Sequence, residues 1–343
     1  MADKESAGSQ KVSRRGFLLR VGAAGAAAAA GTAAAIALRQ PNHYVPGISE
    51  AGQEPPRLRK FNVEGAATDV VFAVARGQDV EAMVRAAVGA LGGPDGVGKF
   101  IQKGDKVILK PNVAFDRPAK LGATTSPEVL RAVARLAREA GASEVRVLDN
   151  PINQPEGCFV KSGIKQAVEE LAGEMKVKMI LPSPSQFETI RIGGLVLGDW
   201  LAFYRPFIDA DKVIGVAPLK DHNLCHASMT MKNWYGLLGG RRNQFHQNIH
   251  DAVADLAFMA TPTFVILDAT RILMRNGPTG GSLADVKPGN AIIAGIDPVA
   301  VDSYGCETLL ERDTAKVEYL QRAHDRGIGR MDWRSLNKRE LTV

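Results

Sequence analysis

From residue 69 onward the chain alternates short apolar runs with longer amphipathic ones, and turn residues mark most of the switches. Residues 69–75 (DVVFAVA) read as a strand, and 80–91 (VEAMVRAAVGAL) as a helix with Asp79 as its N-cap. Residues 106–113 (KVILKPNV) are a β-branched run that Pro111 turns. Ser126 then opens a helix as N-cap, with Pro127 at the first helical position and Glu128 in the first turn. Leu130, Val133, Ala134 and Ala137 give that helix an apolar stripe, Gly141 ends it, and 145–148 form the next strand. Strand, helix and strand at this spacing make a βαβ unit, so the sheet is expected to be at least partly parallel.

The same reading carries on to residue 310. Helices are predicted at 164–171, 222–238, 249–259 and 299–310, and strands at 178–181, 189–192, 213–217, 264–267 and 291–294. The predicted fold class is α/β: a mixed or mainly parallel sheet flanked by helices in three layers. Residues 69–312 form its domain, either as one body or as two lobes, 69–210 and 211–312. Residues 39–68, rich in Pro, Gly and charge, read as a linker, and 313–343 as a helical tail.

In open α/β sheets ligands bind at the carboxyl ends of the strands. Here those ends read Lys110-Pro111-Asn112, Asp149-Asn150, Lys220-Asp221-His222, Asp268 and Asp297. Asn and Asp are ordinary turn formers, so it is the set that marks a site, not any one member. The richest segment is 218–242. On a helix begun at Asp221, His222, His226, Thr230 and Asn233 fall within about 80° of one another, with Leu224, Ala227, Met231, Tyr235 and Leu238 opposite. His222 and His226 at i and i+4 could share a metal ion, and His246 and His250 repeat the spacing. With Asp268 or Asp297 they would complete a His-rich transition-metal site. The same histidines could instead serve acid–base, anion-binding or structural roles. No His-Glu-x-x-His signature is present. Glycine loops beside arginines, at Gly239-Gly240-Arg241-Arg242 and from Arg275 through Gly277 to Gly280 and Gly281, suit a carboxylate or phosphate but match no nucleotide-binding pattern.

Charge and cysteine content narrow the function classes. The chain has 343 residues and a net charge of +6. Five cations and two acids before residue 38 account for +3, which leaves +3 on the body. With no interleaving of basic and aromatic residues, nucleic acid is not an expected partner. Three widely spaced cysteines, Cys158, Cys225 and Cys306, build neither a c-type haem site nor a self-contained 4Fe–4S cluster.

Ser13-Arg14-Arg15-Gly16-Phe17-Leu18-Leu19, followed by an uncharged Ala/Gly-rich stretch apart from Arg20, reads as a twin-arginine (Tat) export signal over 1–38. It predicts folded export to the periplasm or cell envelope, with the Tat translocase as a transient partner. Contact with the membrane is transient if the signal is cleaved, and lasting if it stays as an anchor.

Several of these motifs together resemble the family called domain of unknown function 362. They are Lys110-Pro111-Asn112, Ser126-Pro127-Glu128, Lys220-x-His222, Thr230-x-Lys232-Asn233-x-x-Gly236, Asp268, Gly277-Pro278 and Asp297-Pro298-x-Ala300-x-Asp302. The resemblance covers roughly residues 70–310. Many members carry a ferredoxin-like module with cysteine-ligated iron–sulfur clusters. This chain departs from that pattern, having one cysteine, Cys306, after Asp302. The resemblance implies a site and names no substrate. The expectation is an enzyme that binds a metal ion or an anionic cofactor and is linked to redox chemistry. Lys110, Asn112, Thr230, Lys232, Arg241, Gly277 and Gly280 would hold the anion. His222, Lys220 and Asn233 would be the catalytic groups. Asp268, Asp297 and Asp302 would be metal ligands or orient the histidines. The alternative is a non-catalytic protein that captures a small anion or assists assembly.

Overall fold

The computed structural model describes residues 54–63 and 69–343, so the expected export signal lies outside the described residues. The strands are β1 (Phe72–Arg76), β2 (Lys106–Lys110), β3 (Glu144–Leu148), β4 (Val177–Ile180), β5 (Phe187–Arg191), β6 (Asp199–Phe203), β7 (Lys212–His222), β8 (His226–Ser228), β9 (Phe264–Leu273), β10 (Val286–Gly295) and β11 (Lys338–Thr342). The helices are α1 (Val80–Gly92), α2 (Pro127–Glu139), α3 (Pro155–Lys161), α4 (Ile164–Ala172), α5 (Thr230–Asn233), α6 (Ile249–Met259), α7 (Pro298–Thr308) and α8 (Glu318–Asp325).

Nine strands form one sheet in the order β11-β1-β10-β9-β7-β2-β3-β4, with β8 paired to β7. The half from β9 to β4 is parallel, and β10 runs antiparallel to both β9 and β1. Side chains alternate across the pleat and both faces are covered. In β9, Val265 and Leu267 pack on one core while Phe264 and Ile266 pack on the other. α1 to α4 cover one face and α5 to α8 the other, giving the three layers expected. Strands from before residue 210 (β1 to β4) and after it (β7 to β11) share this one sheet.

Local chemistry agrees with the sequence at many element ends. Asp79 caps α1 by accepting from the Ala82 N–H, and Pro127 opens α2. Ser126 does not cap with its side chain. Its N–H donates to Asp268 Oδ2 and its hydroxyl pairs with Thr270. The expected strand at 189–192 is β5, which forms a separate hairpin with β6. Two expectations change at the ends of the domain. Residues 313–343 contain α8 but finish in β11, which lies parallel against β1. The described part of the expected linker is strapped to the body: Phe61 is buried, its N–H donates to the Thr261 carbonyl, and its carbonyl accepts from Thr263. No helix among the described residues is long and apolar enough to cross a membrane.

The main correction concerns 222–238. The expected helix is absent: β7 continues through Lys220 to His222, turns, and returns as β8, pairing Lys220 with Ser228 and His222 with His226. Only one helical turn, α5, follows, and it runs into a 3₁₀ segment at Trp234–Leu237. His226 closes the turn at φ 63°, a left-handed conformation uncommon for a side-chain-bearing residue. Of the apolar positions expected to face the core, Ala227, Met231, Tyr235 and Leu238 are buried, whereas Leu224 is exposed at the tip of the hairpin.

Candidate functional site

β7 is the longest strand, and its last residues pass the end of β2. Period-two alternation therefore puts Lys220 and His222 on one side, facing a cavity of about 240 Å³ above the carboxyl ends of β2, β3 and β7. Asp221 points the other way, accepting from the Gly277 N–H at 2.7 Å and pairing with Arg312 at 2.7 Å.

Lys110, at the end of β2, is fully buried. Its Nζ donates to Asp149 Oδ1 at 2.6 Å, the Pro111 carbonyl at 2.9 Å and Asn233 Oδ1 at 3.1 Å. Asn233 is locked in return, giving its amide N–H to the Lys110 carbonyl and accepting from Asn112 Nδ2. Asp149 Oδ2 takes the Val113 N–H. Gly236 makes room for this pair: a Cβ there would collide with the Asp149 carboxylate and come within 2.7 Å of Lys110 Nζ.

Lys220 is as deeply buried and has no ion pair among the described residues. Its Nζ donates to the Ala123 carbonyl at 2.5 Å and to Asn112 Oδ1 at 3.3 Å, and it sits 5.2 Å from the centre of the Phe115 ring. Lys232, half-buried, faces the Tyr235 ring at 5.1 Å and has no ion pair among the described residues. Arg242 is buried with its guanidinium spread over the carbonyls of Asn150, Pro151 and Leu238. Burial pushes all four cations below their ordinary range, most clearly Lys220, to about 7, with Lys232 adding repulsion. Burial together with Lys232 and Lys220 takes His222 down to about 2, so its ring is neutral. His222 Nδ1 accepts from the Leu224 N–H at 3.1 Å, which leaves the ring proton on Nε2.

Of the candidate residues, Lys110, Asn112, Lys220, His222, Lys232, Asn233 and His246 line one cavity, and the others lie outside it. Thr230 lies beneath it, bonded through N–H and hydroxyl to the buried Asp302, whose carboxyl burial pushes up to about 7. Arg241 is exposed, and its neighbour Arg242 turns inward. The N–H groups of Gly277 and Gly280 are spent on Asp221 and on the Asn276 carbonyl, so neither is free to hold an anion; Pro278 of the same loop reaches the cavity. Asp268 is saturated by the Ser126 and Thr270 N–H groups and the Thr270 hydroxyl. Asp297 caps α7 and accepts from the Arg330 N–H. It sits at the opposite edge of the sheet, because β10 is antiparallel and its end, Gly295, aligns with Val265 near the start of β9.

The expected metal set does not assemble on a helix. His226 is exposed on the hairpin, His246 stacks on Tyr235 at 5.5 Å, and His250 stacks on Tyr319. Among the described residues no three His, Cys, Asp or Glu side chains gather as metal ligands. All three cysteines are buried, and burial pushes their thiols up to about 11 (Cys158, Cys225) and 12 (Cys306). Sequence reasoning missed Phe115 and read Tyr235 only as a core residue; it had marked Asp149 as a strand-end residue and Arg242 as part of a glycine–arginine loop, without giving either a specific role.

Two comparisons bear on this site. The sequence profile of a family described as domain of unknown function (DUF362) matches residues 107–307, the span that supplies the cavity lining. A Synechocystis protein named thylakoid-associated protein sll1697 is 25% identical over 233 residues, covering 65% of this chain and 68% of its own length.

Proposed function

We propose a function from the site itself, because the chain belongs to the DUF362 family, whose description names no activity: the protein binds a small anion above β2, β3 and β7 and transfers a proton to or from it. One observation carries this reading. Lys220, Lys232 and Arg242 converge on one cavity, and no carboxylate pairs with any of them among the described residues. A buried, unpaired charge costs several kcal/mol, and a bound anion offsets that cost. Asp149 does not fill this role, because Lys110 already holds it.

The groups around the anion have distinct parts. Lys232 and Lys220 supply charge, and neutral His222 supplies an Nε2–H donor without adding charge. Lys220, pushed down to about 7, is the group whose proton is mobile near neutral pH. Asn112 fixes Lys220, and Asn233 fixes Lys110. The twin-arginine segment supports export of the folded protein to the cell envelope through the Tat translocase, and a signal-dependent shift of a fused reporter out of the cytoplasm tests that part.

The binding reading is tested by calorimetric titration of inorganic phosphate and acetate into the full chain at pH 7, beside Lys220→Met and Lys232→Met. Binding to the parent protein, weakened about tenfold or more in each variant, is expected. An anion that binds all three equally, or none that binds the parent, overturns it. Proton uptake or release on binding, read as a buffer-dependent heat that Lys220→Met abolishes, tests the acid–base part.

A further inference from the structure

The charged cavity has an apolar mouth. Most surface leucines and isoleucines need no explanation, but two exposed large apolar side chains, Ile152 (53%) and Leu224 (47%), both line this cavity. Phe115 and Pro278 join them. The four come from separate segments: Phe115 after β2, Ile152 after β3, Leu224 at the hairpin tip between β7 and β8, and Pro278 between β9 and β10. The charges lie deeper, since Lys110, Asp149, Lys220 and Arg242 are buried and Lys232 is half-buried. Two aromatic faces already meet the unpaired lysines, Phe115 over Lys220 and Tyr235 over Lys232. The arrangement is one-ended, with cations below and carbon above.

Resting on the anion-binding reading, we infer that the ligand is a soluble amphipathic anion: a single carboxylate or phosphate carried on one aromatic ring or a short aliphatic chain. The head group meets Lys220, Lys232 and Arg242. The carbon body meets Phe115, Ile152, Leu224 and Pro278. Size sets the upper limit, because about 240 Å³ falls below the roughly 300–1,000 Å³ of pockets that hold drug-sized ligands. A nucleotide is too large. A compact dianion such as succinate would place its second charge against the apolar mouth, where desolvation opposes it.

The test titrates inorganic phosphate against phenyl phosphate, and acetate against butyrate, benzoate and succinate, into the full chain at pH 7. Each buried methylene should tighten binding about fourfold, so phenyl phosphate should bind at least about tenfold tighter than phosphate, and succinate no tighter than acetate. Ile152→Ser and Leu224→Ser change exposed side chains that the fold does not need. They should remove most of that gain, read as the ratio of phenyl phosphate to phosphate affinity within each variant. If phenyl phosphate binds no tighter than phosphate, the carbon body is refuted and the anion site stands. If the gain survives both substitutions, it arises elsewhere and the inference also falls. If neither phosphate nor phenyl phosphate binds, the anion site itself is refuted.

Discussion

Replacing Lys220 with methionine should make this protein more stable while it loses its anion. In the fold, Lys220 titrates near 7 instead of 10.5, driven by burial and by Lys232 and Lys110, with Asp149 pulling the other way. At about 1.36 kcal/mol per pH unit, that gap is a penalty of about 5 kcal/mol on the folded state at and below pH 7. Between pH 7 and 10.5 the unfolded chain holds a proton on this lysine that the folded chain has released. Stability therefore rises with pH across that window, by about 1.4 kcal/mol per unit for one proton. Methionine removes the penalty but strands the Ala123 carbonyl, at about 1–3 kcal/mol, while Asn112 Oδ1 keeps the Ala114 N–H. The balance at pH 7 is a gain of about 2–4 kcal/mol, within the range seen when buried charges become apolar. Urea denaturation at pH 7 and pH 9.5, followed by circular dichroism, reads both effects. The variant should have the higher midpoint at pH 7 and a pH slope flatter by one proton. A variant less stable at pH 7, with the parent's slope, would show that Lys220 is not a penalised cation, and the argument for an anion at this site would lose its basis.

Other perturbations probe the neighbours. Asp149→Ala leaves Lys110 buried without its partner and should cost about 3–5 kcal/mol, seen as a lower urea midpoint. Gly236→Ala forces a methyl against the Asp149 carboxylate and Lys110 Nζ; destabilisation of about 1–3 kcal/mol is expected, and an unchanged melting temperature would contradict the packing described. His222, held down to about 2, should keep a neutral ring protonated at Nε2 from pH 8 to pH 5 in nitrogen-15 NMR spectra, whereas a midpoint near 6.5 would mean that water reaches it.

Where both faces of a strand are buried, the sequence says so directly. The runs at 106–110 and 145–148, with Ser126-Pro127 and Gly141 between them, could hardly form anything but a βαβ unit. The segment after Lys220 was harder, because His222, His226, Thr230 and Asn233 fit a helical stripe as well as a hairpin. Pairing with β8 and the neighbouring β9 decided the matter, and no local spacing reports such pairing. Asp297 was assigned to the wrong edge of the sheet because strand direction depends on how β10 returns beside β9. The choice between Arg241 and Arg242 was equally hidden. Arg242 turns inward to the carbonyls of Asn150 and Pro151, about ninety residues earlier in the chain. Lys110 and Lys220 were readable because each ends an apolar strand or follows one closely, whereas Lys232 stood out only through the family motif. That Lys220 and Lys232 have no ion pair among the described residues was not readable, since an unpaired charge becomes visible only when every neighbour is known.

The bonds that build the cavity join distant parts of the chain. Lys110 to Asn233 spans 123 residues, Lys220 to Asn112 spans 108, and Lys220 to Ala123 spans 97. Contacts that close such long loops form late in folding, after local helices and neighbouring strands have formed. The anion therefore has nothing to hold in the folding transition state, and its effect falls on the escape from the native state. A bound ligand should slow unfolding and leave the refolding rate almost unchanged. For this chain, then, ligand occupancy sets how long the folded molecule lasts and not how fast it forms.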